Sequence, residues 1–111
     1  MRRFAQAMLS RGEDPASVQV RADLWADLLT DPAVRERLAL ATQRRRERVR
    51  AWIEEAVAAG ELAEIPANAL ASILLALADG LILHAALDPG GFRWRNIRRA
   101  IDLMLAGIAA P

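Results

Sequence analysis

A chain of 111 residues, 54% hydrophobic but only 5% aromatic, has room for one domain, and its largely aliphatic apolar mass favours helix over sheet. Its 15 basic residues, all arginine, nearly cancel its 14 acidic ones, and a net charge of +1 makes a poor phosphate tracker. With no cysteine, disulfides and thiolate metal sites are excluded, and the apolar run after Met1-Arg2-Arg3 is too short for a signal peptide.

Three Asp-Pro pairs and several glycine-bearing breaks divide the sequence into about five expected helices within a single domain, residues 1–111. The first runs from about Arg2 to Ser10, with Phe4, Ala5, Met8 and Leu9 on one face and Gly12 placed to end it. Asp14 reads as an N-cap and Pro15 as the first residue of a second helix to Leu29, where Val18, Ala22, Trp25 and Leu29 form an apolar stripe. Asp31-Pro32 repeats this start signal and opens the longest helix, to Ala59, with Gly60 as a left-handed C-cap. Its stripe of Val34, Leu38, Ala41, Val49, Trp52 and Ala56 is interrupted by Arg45. The surrounding cluster, Arg44-Arg45-Arg46 with Arg48 and Arg50, lies close to Glu47, Glu54 and Glu55, and reads as a solvated helix face rather than a nucleic-acid patch.

Pro66 starts a fourth helix that ends near Leu87 at the Asp88-Pro89-Gly90-Gly91 turn, and a fifth runs from Trp94 to Ala110. The fifth is amphipathic, with Ile97, Ile101, Leu105 and Ile108 on its apolar side and Arg98, Arg99 and Asp102 opposite. From Ala69 to Leu87, by contrast, only Ser72, Asp79, Gly80 and His84 are not apolar. Leu70, Ile73, Leu77 and Leu81 form one stripe, and Ala71, Leu75, Ala78, Ile82 and Ala86 a second on another face. A helix apolar all round must be covered all round. Asp79 near its centre argues against a membrane span, because a charge there is costly in lipid. The expected cover is the domain core on one face and a second copy of the chain on the other, two helices from each copy forming a four-helix interface.

The order of these segments resembles the C-terminal regulatory half of a TetR-family transcriptional regulator. The resemblance is carried by Arg21-Ala22-Asp23-Leu24-Trp25-Ala26-Asp27-Leu28-Leu29-Thr30-Asp31-Pro32, leading into the long arginine-rich helix that closes with Glu54-Glu55-Ala56-Val57-Ala58-Ala59-Gly60-Glu61-Leu62. It continues through Pro66-Ala67-Asn68-Ala69-Leu70, the Ala78-Asp79-Gly80-Leu81 segment, Leu87-Asp88-Pro89 and a final aliphatic helix. It covers the chain from about Asp14 onward, and the first helix more loosely. The resemblance implies an all-α homodimer paired through its last two helices, with an inducer pocket in each subunit that sets the spacing of two DNA-reading heads. The family's three-helix head does not fit in the 13 residues before Asp14, so the chain as it stands is not expected to bind operator DNA by itself.

On that resemblance, a pocket for a small, mostly apolar effector is expected among Trp25, Leu29, Leu38, Arg45, Trp52, Leu77 and His84, and the dimer interface among Leu75, Asp79, Ile82, Ala86, Ile101, Leu105 and Ile108. Each residue has a plainer alternative. Trp25 and Trp52 either wall a cavity for a flat ligand or are core. Arg45 either pairs an anionic ligand or pairs Asp79. His84 either lines the pocket or is satisfied by a nearby carboxylate or carbonyl. Asp79-Gly80 is explained by close helix approach at the glycine, with the carboxylate bonded to an arginine or a backbone N–H across an interface. Trp94, between Arg93 and Arg95, reads as an anchor for the last helix. No catalytic residues, metal or cofactor are expected, since His84 is the only histidine and there is no phosphate loop or paired carboxylate. The expected function is effector sensing and homodimerisation for a cytoplasmic regulator, a repressor by type; the alternative is a helical homodimeric module with no ligand.

Overall fold

The structure, a computed structural model, describes Asp23, residues 26–28 and residues 30–111. The expected first helix and most of the second, including Trp25 and Leu29, lie outside the described residues. The domain is all-α. Helix α1 spans Pro32–Ala58, α2 spans Ala67–Leu87, a 3₁₀ turn spans Pro89–Gly91, and α3 spans Trp94–Gly107.

The ends of α1 follow local chemistry. The Asp31 carboxylate accepts from the Ala33 N–H at 2.9 Å while Pro32, which has no N–H to satisfy, occupies the first turn. At the other end Gly60 adopts φ +76°, and the Gly60 and Glu61 N–H groups donate to the Val57 and Ala56 carbonyls at 3.0 and 2.9 Å, covering acceptors the helix leaves orphaned. Helix α2 closes through the Asp88 N–H onto the His84 carbonyl, and the Asp88 side chain then accepts from the Gly91 N–H to start the 3₁₀ turn.

Helix α3 stops at Gly107, three residues before the expected end, because the segment beyond it is drawn to the α1–α2 loop. Leu62 and Ala109 form an isolated antiparallel bridge, with Ala63 N–H donating to Ile108 O and Ala110 N–H to Glu61 O, both at 3.1 Å. These bonds satisfy backbone groups that continuing the helix would have satisfied internally.

The core is the α1/α2 seam closed by one residue of α3. Val49, Ile53 and Ala56 of α1 meet Leu70, Ala71, Leu74, Leu75 and Ala78 of α2, with Leu62 and Ile101 completing the cluster. Ile53 and Ala71 are wholly buried, and the small Ala71 and Ala78 leave room for the larger side chains of α1. Trp94 packs against this cluster at the start of α3, edge-on to Phe92 with ring centroids 4.9 Å apart, so it anchors the last helix.

Candidate functional site

Arg45, the break in the α1 stripe, meets Asp79, the break in α2. Nη2 donates to Oδ1 at 3.0 Å, and each side chain retains only 18% of its surface. An ion pair this far from water lies between the exposed regime, worth about 0–1 kcal/mol, and the buried one, where losing a partner costs about 3–5 kcal/mol. It answers the cost of placing a carboxylate in an apolar helix, and it occupies the guanidinium that an anionic ligand would have used.

The rest of the arginine cluster divides by exposure. Arg44, Arg48 and Arg50 are exposed, and Arg50 pairs with Glu54 one turn on at 3.4 Å, as expected of a solvated face. Arg46 is instead half-buried and borders a polar groove of about 310 Å³, with Gln43, Glu47, Arg50 and Asn68 as the other lining residues. Sequence patterning did not single this groove out. Its one legible sign is the spacing of Arg46 and Arg50, which puts both on one helix face.

Of the residues expected to line an effector pocket, Leu38 and Leu77 are half-buried, and Trp52 is half-buried against the apolar core cluster. His84 is exposed, and its ring makes no hydrogen bond or ion pair to a carboxylate or carbonyl among the described residues. No group of three His, Cys, Asp or Glu side chains is placed to hold a metal ion among the described residues.

The residues expected at a dimer interface are distributed differently. Leu75, Ile82 and Ile101 are buried within the chain itself, at 5%, 4% and 6% exposure, leaving little surface for a partner. Leu105 and Ile108 pack half-buried on the core, Ala86 is half-buried, and Asp79 bonds inside the chain rather than across an interface. The stripe assigned to a second copy is therefore the one that faces inward. The reason is geometric: Asp79 shares a helix face with Leu75 and Ile82, and its partner Arg45 belongs to α1 of the same chain.

The most exposed row of α2 is another one, Ala69, Ile73, Ala76, Gly80, Leu83 and Leu87 in alternating steps of four and three, with Gly80 and Leu83 half-buried and the other four exposed. Ile73 and Leu87 are 63% and 74% exposed, and a Cβ placed on Gly80 would meet nothing within 4 Å among the described residues. Leu103 and Met104 of α3 are exposed as well. Helix α2 is also long and apolar enough to cross a membrane, with a mean hydropathy of 2.0, as the core helix of a soluble protein can be, and 39% of its apolar window is buried inside the chain.

Comparison with protein families matches residues 1–110 to the C-terminal domain of BetI-type transcriptional repressors. The chain belongs to this TetR-type family. No curated protein and no solved structure matches it. The match includes the 13 residues before Asp14, where the resemblance had been loose, and it identifies the helices as part of a transcription regulator's C-terminal regulatory domain.

Proposed function

We propose that this TetR-type C-terminal domain is the effector-sensing and homodimerising part of a cytoplasmic transcriptional repressor, which reaches DNA through an N-terminal head. The observation that carries the dimer is the outward row of α2. Ile73, Leu83 and Leu87 interleave with the small Ala69, Ala76 and Gly80, a pattern that lets two helices approach closely and bury the large side chains between them. Leu103 and Met104 extend the same need for cover onto α3. The partner contacts are thus assigned to Ile73, Leu83, Leu87, Leu103 and Met104 rather than to Leu75, Ile82 and Ile101.

An effector in each subunit would act by favouring one packing of α1 on α2 over another, since a ligand shifts an equilibrium only by its differential affinity for the two states. The Arg45–Asp79 contact between these helices is one arrangement such a shift would have to keep or break. No catalytic role is assigned to any residue.

Sedimentation velocity without detergent tests the dimer. The chain is expected to sediment as a dimer and Ile73→Glu/Leu87→Glu as a monomer; a monomeric native chain would sink the proposal. The burial of Trp52 against the core favours the alternative of a dimerising module with no ligand. A thermal-shift screen with apolar and cationic small molecules separates the two, since only a sensing domain gains stability on binding.

A further inference from the structure

Two arginines adjacent on α1 have opposite fates. Arg45 is neutralised by Asp79, whereas Arg46 makes no hydrogen bond or ion pair among the described residues. Its Nε–H is shielded from water and has no acceptor among the described residues. A shielded N–H donor without a partner is rare in native proteins and calls for an explanation, even where, as here, the rest of the guanidinium is only half-buried. The groove that Arg46 borders offers one. Each residue of its lining carries a polar group, beside the aliphatic stems of the same side chains: Gln43, Arg46, Glu47 and Arg50 come from α1, and Asn68 from the first turn of α2.

Within the lining two guanidiniums stand against one carboxylate, and the carboxylate that pairs with Arg50, that of Glu54, lies outside it. Arg46 and Arg50 stand one turn apart, and the only bond Arg50 makes among the described residues is the exposed 3.4 Å contact with Glu54, which is easily exchanged. Gln43 and Glu47 likewise hold no side-chain partner among the described residues. Such a lining is unlike an effector pocket, which is mostly apolar. It has the chemistry of an oxyanion site, where the planar guanidinium fork matches a carboxylate or phosphate through two parallel bonds and the amides of Gln43 and Asn68 add neutral donors.

We infer that this groove binds a small molecule through a carboxylate or phosphate group, with Arg46 as its principal donor. A rotation about the terminal torsions of Arg46 turns its Nε–Nη edge toward the groove, and the oxyanion supplies the missing acceptor. Since the lining joins the middle of α1 to the start of α2, the bound anion draws these two helices together. The site is separate from the expected effector pocket, and its existence does not depend on that pocket.

Inorganic phosphate and succinate, each titrated against the full chain at ionic strength held constant with sodium chloride, test the inference. The arginine side-chain Nε–Hε resonances are followed by NMR and affinity by calorimetry. The resonance of Arg46 is expected to shift saturably with at least one anion; phosphate alone, succinate alone or both then defines the group recognised. Arg46→Gln should weaken that binding at least tenfold, and Arg44→Gln, one residue away but outside the lining, should leave it unchanged. Arg46→Met should melt higher than the native chain without anion, having shed an unpaired charge, and should lose the rise in melting temperature that the anion gives the native chain. Absence of saturable binding by either anion, or equal weakening by Arg44→Gln and Arg46→Gln, would overturn the inference. If Arg46→Gln does not fold, Arg50→Gln takes its place in the same comparison.

Discussion

Arg45 and Asp79, 34 positions apart in the sequence, are joined by a single 3.0 Å hydrogen bond between charged groups that links α1 to α2 beside their apolar seam. Removing the carboxylate with Asp79→Ala leaves a largely buried guanidinium unpaired. That should cost about 1–3 kcal/mol in chemical denaturation, the range expected of a charge-assisted hydrogen bond short of full burial. The double variant Arg45→Met/Asp79→Leu should recover most of the loss, because apolar replacement of a whole pair removes the desolvation penalty with the attraction. Additive losses in the double variant would mean that the two residues act independently.

The ends of α1 provide a second test. Asp31→Ala removes the oxygen that caps the Ala33 N–H and should lower stability by about 1 kcal/mol, whereas Asp31→Asn retains a cap and should cost little. Gly60 sits at φ +76°, and a Cβ there would meet nothing within 4 Å among the described residues, so the expected loss is conformational. Gly60→Ala should cost about 1 kcal/mol and Gly60→Asn less, as read from urea midpoints.

Gly80 makes a sharper distinction. A Cβ there meets nothing within 4 Å among the described residues, so Gly80→Ala should raise the helix stability of an isolated chain by up to about 1 kcal/mol. Gly80→Leu places bulk in the middle of the outward row of α2 and should weaken self-association at least tenfold while leaving the circular dichroism spectrum helical. Unchanged sedimentation of Gly80→Leu would place the contact between copies elsewhere.

For the three described helices, order and most boundaries were legible in the sequence because they are set by local signals: Asp31-Pro32, Gly60, Pro66 and Asp88-Pro89 each act within a turn of where they stand. The end of α3 was not, since it depends on the bonds of Ala63 and Ala110 to distant partners. The orientation of α2 was misread for a related reason. Both of its stripes are apolar, and an apolar pattern on two faces does not say which one the core takes. The deciding information was present in the pair Arg45 and Asp79, two charges each interrupting an apolar stripe. Pairing them turns Leu75 and Ile82 inward and leaves Ile73 and Leu87 outside. Of the groove around Arg46, the α1 side was visible as a helix face, but Asn68 enters only through the packing of α2.

Two isoleucines that the fold treats oppositely give the last prediction. Ile53 is wholly buried and Ile73 is 63% exposed, so the same substitution to alanine removes equal volume from very different surroundings. Ile53→Ala loses transfer energy and leaves a cavity, and should cost about 2–5 kcal/mol at any protein concentration. Ile73→Ala forms no cavity within one chain, and in a monomer it should fall within about 0.5 kcal/mol of the native chain. If Ile73 packs between two copies, its effect depends on concentration: unfolding midpoints of native and variant chains should converge as the protein is diluted below the dimer dissociation constant and separate above it. Denaturation at several concentrations therefore reads out the partner face of α2 independently of sedimentation. A constant difference for Ile73→Ala across all concentrations would assign that side chain to the fold of a single chain.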